Sequence, residues 1–277
     1  MRKNNIEDDS VKILVSDYDK AFYTDEKNIK INIEKVNQFM KNNLFVINTG
    51  RSYLDFKKKE KIYNIKYNYL VINHGASIIK KNEIIYNIPI NNNIKKQIIL
   101  DLDIEYSTEI FTCCGLESRL TLENDNLTKI HIKYKNEEKA KQIYNKITNK
   151  YGNFVVVYLI SKGKGIEIVS KKANKGIATK EIAKLENIKK NIYTIGDDAS
   201  DLEMIKNFNG YAMKNATDEI KKYALKEFDN VYELIDLIWL VFFIKKAEPK
   251  FYLIIHFTFF KECITTNYKQ SSSNNNY

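Results

Sequence analysis

At 277 residues with a formal net charge of +10, the chain is long enough to bury a full core and to hold two domains, or one domain with an insertion. Hydrophobic residues make up 44% of it, an ordinary globular share that excludes a disordered or fibrous class. The basic balance does not argue for nucleic acid: it is almost wholly lysine, with only Arg2, Arg51 and Arg119 as arginines, and no RNA-binding or helix-turn-helix signature accompanies it. Two of the three cysteines are adjacent, at Cys113 and Cys114, and the histidines lie far apart at 74, 131 and 256. That pattern gives neither a disulfide framework nor a zinc site. The residues from Met1 to Asn5 lead into polar sequence without an apolar signal core, so reduced cytoplasm is the expected compartment.

Along the chain, Lys12 to Ser16 reads as a strand, and Ile29 to Met40 has helical spacing at Ile33, Val36, Phe39 and Met40. A second apolar run, Leu44 to Asn48, precedes a helical stretch near Tyr53 to Lys61, and Tyr69 to Asn73 is a third run. Short buried runs alternating with amphipathic helices predict a doubly wound parallel sheet. From Gly75 the texture changes. Ser77 to Ile79 and Glu83 to Ile85 flank Lys80-Lys81-Asn82 like a hairpin, Ile130 to Tyr134 alternates, Glu137 to Lys146 reads as a helix, and Phe154 to Leu159 and Ile166 to Val169 read as strands. The strand–helix alternation returns with Lys175 to Leu185, Asn191 to Ile195 and a helix opening at Asp201. The fold class expected is α/β, a doubly wound Rossmann-like core with an inserted α+β cap domain. Residues 1–75 and 172–238 form the core, and 76–171 form the insertion.

Residues 239–277 make an apolar, then polar, tail. Its runs Leu237 to Ile244 and Phe251 to Phe260 are separated by Lys245-Lys246-Ala247-Glu248-Pro249-Lys250. Neither run approaches the roughly 18–20 residues of a membrane span, so no membrane partner is expected. An interfacial hairpin, a partner-facing segment and a tail without a role remain open.

The chemistry gathers at strand ends. Asp17-Tyr18-Asp19 follows the first strand, where α/β proteins place their sites, and its two carboxylates need a cation, a shared proton or a basic partner. Asn48-Thr49-Gly50-Arg51 follows the second, with a hydroxyl and a glycine amide suited to a phosphate oxygen. Asn174-Lys175-Gly176 opens a helix with an ammonium able to neutralise an anion. Gly196-Asp197-Asp198-Ala199-Ser200-Asp201 then places three carboxylates around a strand-to-helix turn. This is a hard oxygen site of the kind Mg²⁺ prefers, a helix N-cap at Asp201, or both. Glu7-Asp8-Asp9 precedes the first strand and reads as a solvated lead-in, and Asp101-Leu102-Asp103 reads as surface.

Taken in order, Asp-x-Asp, Thr-Gly, Lys and Gly-Asp-Asp-x-x-Asp at successive strand ends resemble the haloacid dehalogenase-like hydrolases. The large insertion between Thr49 and Lys175 is similar to that of their Cof-type branch, over about residues 11–238. The resemblance implies a phosphoric monoester hydrolase acting on small phosphorylated metabolites such as sugar phosphates. In it Asp17 is the nucleophile and Asp19 the acid and base. Mg²⁺ is held by Asp17, the Asp19 carbonyl, Asp197 and Asp201, and the phosphoryl group by Thr49, Gly50, Lys175 and Ser200. Three departures bear on rate: Ala21 stands where threonine is usual, Ser200 where asparagine is usual, and His74 interrupts the Asn-Gly pair at the cap junction. Losing one or two hydrogen bonds, at about 0.5–1.5 kcal/mol each, slows such an enzyme without removing its chemistry. A phosphomutase, or a phosphometabolite-binding protein with weakened hydrolysis, is the alternative. A metal-free dehalogenase would leave Asp19 and the acidic turn without a purpose, and a receiver module would lack the insertion.

Overall fold

The computed structural model describes residues 11–246. The charged lead-in at Glu7-Asp8-Asp9 and the run Phe251 to Phe260 lie outside the described residues. One compact unit ends at Val231, and a second begins at Tyr232.

The first unit starts with β1 (Ile13–Ser16), every residue of which is buried. A strand with both faces covered reads as a continuous apolar run, because helices pack on each side of it. Next come α1 (Glu26–Phe39), β2 (Leu44–Asn48), α2 (Tyr53–Tyr63) and β3 (Tyr69–Ile72). The Asp25 carboxylate caps α1, accepting from the amides of Lys27 at 2.9 Å and Asn28 at 2.8 Å. Ile29, Val36 and Phe39 form the buried stripe of that helix. β4 (Ser77–Lys80) and β5 (Glu83–Asn87) follow, and then α3 (Asn92–Leu100).

A second group of strands comes next: β6 (Ser107–Cys114), β7 (Glu117–Leu120) and β8 (Lys129–Tyr134), then α4 (Glu137–Tyr151), β9 (Val155–Ile160) and β10 (Gly165–Ser170). The chain returns through α5 (Lys175–Leu185), β11 (Ile192–Gly196), α6 (Leu202–Asn207), β12 (Asn209–Met213), α7 (Asp218–Lys221) and β13 (Glu227–Phe228). Two sheets result, one of eight strands in the order β13-β12-β11-β1-β2-β3-β4-β5 and one of five in the order β7-β6-β8-β10-β9. Pairs from β13 to β3 are parallel, while every pair of the smaller sheet is antiparallel. This is the α/β class expected, a Rossmann-like core with a separate antiparallel module.

One element sits elsewhere than the sequence suggests. The hairpin of β4 and β5 does not join the smaller sheet; β4 pairs antiparallel with β3 and extends the large one. Its buried Ile78 and Ile79 continue the apolar layer of β3, so the hairpin gains more by edge pairing than by crossing over. The smaller sheet is covered by α3 and α4. Ile143 and Ile147 of α4 are buried with Ile98 of α3 and with Ile130, Ile132 and Ile166 of the sheet. Asp101 and Asp103 serve that packing from its rim: Asp101 accepts from Tyr151 Oη at 2.6 Å and Lys150 Nζ at 2.7 Å, and Asp103 from Lys139 Nζ at 2.6 Å. Cys113 and Cys114 lie on β6, the former buried and both free thiols.

Sequence reading missed β6 and β7. Their residues mix Ser, Thr, Glu, Cys and Arg, with Phe111, Thr112 and Cys113 buried in succession and the other positions half-buried or exposed, so there is no clean apolar alternation. α8 (Val231–Lys246) carries the run Leu237 to Ile244. Among the described residues no helix is long and apolar enough to cross a membrane.

The turn Asn73-His74-Gly75 between β3 and β4 touches the start of α5 at Asn174. Gly75 has φ +96°, and a Cβ there would lie 2.3 Å from the backbone carbonyl of Asn174. Gly75→Ala is therefore expected to destabilise the protein by about 2–4 kcal/mol, from a left-handed alanine plus a backbone collision. Urea denaturation measures this, and a change below 1 kcal/mol would contradict the close approach of Gly75 to Asn174.

Candidate active site

Register puts the strand-end residues at one level. Ser16 is opposite Ile47 on one side and Ile195 on the other. The residues that follow these strands, Asp17, Thr49 and Asp197, therefore emerge together at the C-terminal edge of the sheet. The Asp17 amide donates to Ile195 O at 3.0 Å and the Thr49 amide to Val71 O at 2.9 Å, so each loop is pinned as it leaves its strand. The Asn174 side chain caps α5 by accepting from the Ile177 amide at 2.7 Å. Asn48 Nδ2 holds the first turn of α5 by donating to Lys175 O at 3.0 Å.

These restraints place Lys175, fully buried, between two carboxylates. Its Nζ donates to Asp17 Oδ1 at 2.6 Å and to Asp201 Oδ1 at 2.7 Å. Asp201 also accepts at Oδ2 from the amides of Asp197 at 3.0 Å and Asp198 at 3.2 Å, while Asp198 accepts from the amide and hydroxyl of Ser200 at 2.9 and 2.7 Å. The acidic turn is thus a reciprocal capping box, and Asp201 is structural as well as acidic. Gly196 is required beneath it, since a Cβ there would meet the Asp201 carboxyl at 2.3 Å.

Asp17, Asp197 and Asp201 each offer an oxygen within 4.8 Å of the others, and all three are buried. Three carboxylates against the one Lys175 ammonium leave two negative charges, the complement of a divalent cation. An all-oxygen donor set of this kind suits Mg²⁺. The electrostatics agree: burial first, then Asp201 and Asp197, drive the Asp17 carboxyl well above the usual carboxylate range against the pull of Lys175. Burial followed by Asp201 and Asp198 pushes Asp197 up to about 7. Burial also raises Asp201, whereas in Asp198 the opposing effects of Lys175 and Ser200 outweigh burial and lower it.

Asp19 stands apart from this cluster. Its carboxylate, partly exposed, is gripped by Arg51, whose Nε donates to Oδ2 at 2.7 Å and Nη2 to Oδ1 at 2.6 Å. Thr49 Oγ1 accepts from the Arg51 amide at 3.1 Å. Gly50 lies against the His74 imidazole so closely that a Cβ would sit 2.3 Å from Cε1. Ser200 borders the same cavity, but its hydroxyl is directed to Asp198. Ala21 is fully buried.

All eight residues singled out in the sequence are thus in this region, and seven of them, Asp17, Asp19, Thr49, Gly50, Lys175, Asp197 and Ser200, line one cavity of about 670 Å³. Sequence reading missed Arg51, which sits inside the Asn-Thr-Gly-Arg segment, and the far wall, where the smaller sheet contributes Lys129, His131 and Glu167. Adjacency to Thr49-Gly50 could have flagged Arg51. Nothing local marks the other three.

A family model of haloacid dehalogenase-like hydrolases matches residues 14–115 and 104–233. A Buchnera aphidicola protein provisionally named a phosphatase is 29% identical over 240 residues, covering 76% of this chain and 87% of its own. A Plasmodium vivax protein provisionally described as an HAD/COF-like hydrolase superposes with a TM-score of 0.72 at 17% identity, over 83% of this chain and 96% of its own. The sucrose-phosphatase of Synechocystis, solved with sucrose and phosphate, gives 0.59 at 17% identity, over 79% and 92%.

The raised pKa of Asp197 makes stability depend on pH. An acid whose folded value, about 7, exceeds its unfolded value of about 3.9 binds its proton more tightly when folded. Its contribution to stability is full below about pH 4 and is lost as pH rises through about 7. The melting temperature of metal-free protein is expected to fall between pH 5 and 7.5, with a shallower fall in Asp197→Asn and recovery on adding Mg²⁺ at pH 7.5. Identical slopes in the two proteins would refute this assignment.

Proposed function

This chain belongs to the haloacid dehalogenase-like hydrolases, and from that premise we propose that it is a Mg²⁺-dependent phosphatase of small phosphorylated metabolites. The observation that carries the reading is the buried Lys175 between Asp17 and Asp201, beside Asp197 and the Thr49-Gly50 loop. A nucleophile, a cation-binding set and a phosphate cradle meet there in one cavity.

Asp17 attacks the phosphorus of the ester as its P–O bond to the alcohol breaks, forming an aspartyl phosphate and splitting one difficult displacement into two easier ones. The Asp19 carboxyl gives its proton to the departing alkoxide. It then takes a proton from the water that attacks the aspartyl phosphate, releasing inorganic phosphate and restoring Asp17. Positioned proton transfer of this kind contributes about 10²- to 10⁴-fold. Lys175, the Thr49 hydroxyl and the Gly50 amide hold the transferring oxygens, where charge spreads in the transition state. Asp17, Asp197, Asp201 and the Asp19 carbonyl would hold Mg²⁺, which when bound offsets the repulsion between the nucleophile and the phosphate dianion.

The residues from about 88 to 171 act in this reading as the cap that closes over the leaving group, with 11–87 and 172–231 as the core. One observation favours the second reading, a phosphometabolite-binding protein with weakened hydrolysis. Both carboxylate oxygens of Asp19 are occupied by Arg51, a grip that must loosen before Asp19 exchanges a proton with substrate.

Purified protein is expected to hydrolyse p-nitrophenyl phosphate with Mg²⁺ and to stop when the metal is chelated. Asp17→Asn should abolish turnover, and Asp19→Asn should lower kcat by about 10²- to 10⁴-fold. Phosphate binding without turnover in any divalent metal would favour the binding protein instead.

A further inference from the structure

The loop Thr49-Gly50-Arg51 is held through its main chain. The Thr49 amide donates to Val71 O at 2.9 Å, the Thr49 carbonyl accepts from the His74 amide at 3.2 Å, and the Arg51 carbonyl accepts from the Asn73 amide at 3.0 Å. The peptide between Gly50 and Arg51 is clamped at both ends. Its N–H donates to Thr49 Oγ1 at 3.1 Å, and its carbonyl accepts from Lys129 Nζ at 2.7 Å. Among the described residues, this leaves the Gly50 amide as the main-chain group of the loop without a protein partner.

Of these restraints, the Lys129 ammonium is the one that comes from the antiparallel sheet, on β8. Gly50 depends on it. A Cβ there would sit 2.3 Å from His74 Cε1, which confines the position to glycine, and glycine has no side chain with which to restrain its own torsions. Lys129 is buried, and so is its counter-charge. Glu167 of β10 accepts from Lys129 Nζ at 2.9 Å on one oxygen and from His74 Nε2 at 2.6 Å on the other. The ring that walls Gly50 and the ammonium that holds its carbonyl therefore end on one carboxylate. Against the upward push of burial, Lys129 and the bonds from His131 and His74 hold Glu167 well below the usual carboxylate range, so it stays charged.

Stability is a poor reason for this arrangement. Apolar residues of similar volume often match or exceed a buried ion pair, and water satisfies a loop carbonyl nearly as well. What the pair adds is direction. A charge-assisted bond at the carbonyl polarises the peptide and strengthens the N–H bond at its far end. Thr49 Oγ1 accepts that bond on a lone pair and keeps its own hydrogen for another partner.

We propose that Lys129 is a positioning residue: through the Gly50 carbonyl it sets the Thr49 hydroxyl and the Gly50 amide on the transferring phosphoryl oxygens, with Glu167 as its anchor. This deepens, and rests on, the phosphatase reading. The lysine acts through the main chain of the core and not on the departing alcohol, so its effect is the same whatever the ester.

Full-length wild type and Lys129→Met are assayed with Mg²⁺ on p-nitrophenyl phosphate, phenyl phosphate and glycerol 3-phosphate. Orthovanadate, whose five-coordinate form imitates the phosphoryl group in transfer, is the inhibitor. Lys129→Met is expected to lower kcat/KM about 10- to 100-fold, by factors that agree within about threefold on every ester wild type hydrolyses. The vanadate inhibition constant should rise by a matching factor. A variant that only loses folded protein would lower kcat and leave that constant unchanged, and this result overturns the proposal. A loss that depends on the ester overturns it too, since it would place Lys129 on the alcohol. The single substitution leaves Glu167 buried without its lysine, so Lys129→Met with Glu167→Gln is the second variant. It removes both charges together and should show the same loss. Failure of both variants to fold would assign the pair to structure alone and overturn the proposal. If wild type hydrolyses none of the esters, the phosphatase reading fails by itself. Calorimetric titration with orthovanadate and Mg²⁺ then decides this one: weaker binding to the variants supports it, and equal affinity or no binding overturns it.

Discussion

The bridge that Lys175 makes between Asp17 and Asp201 is the constraint to which the rest of the site answers. Three carboxylates are buried where only one ammonium lies among them, and burying charge without compensation costs several kcal/mol per ion. The fold therefore spends much of its local order on that one lysine. Asn174 starts its helix, Asn48 holds the first turn, and Gly176 lets α5 approach Glu203 closely. The capping box lends Asp201 two backbone amides. Two negative charges are left over at the C-terminal edge of the parallel sheet, an arrangement compatible with a divalent cation.

A second constraint couples the two sheets. The β3–β4 turn, the start of α5 and the smaller sheet meet beside the Thr49-Gly50 loop. Gly75 abuts Asn174, His74 abuts Gly50, and Lys129 of the smaller sheet holds the Gly50 carbonyl. Glu167 ties His74 and Lys129 together. A shift of the antiparallel module is thus transmitted to the Thr49-Gly50 loop through short, buried contacts. Such contacts have little compliance, because stretching any one of them leaves a buried charge unpaired.

Much of this was legible before the structure. The runs Leu44 to Asn48 and Lys175 to Leu185 match β2 and α5, because a covered parallel strand and an amphipathic helix each carry their burial as a local period. The hairpin at Ser77 to Ile85 was also legible as a hairpin, yet its sheet was not, since edge pairing is decided by the neighbour's free edge. Strands β6 and β7 escaped because their mixed composition carries no period to read.

The same division runs through the site. The sequence by itself determined the order and type of the candidate groups: Asp17 and Asp19, Thr49 and Gly50, Lys175, then Asp197, Ser200 and Asp201, each announced by a strand end or a helix start next to it. Only the tertiary structure decided the partnerships. Lys175 meets Asp17 across 158 residues and Arg51 meets Asp19 across 32, while Ser200 turns to its neighbour Asp198 instead of the cavity. His131 and Glu167 acquired a place in the site only when β8 and β10 paired. The reason is physical: local pattern records how each residue meets solvent, whereas ion pairing is fixed by the register and crossing of elements far apart in the chain.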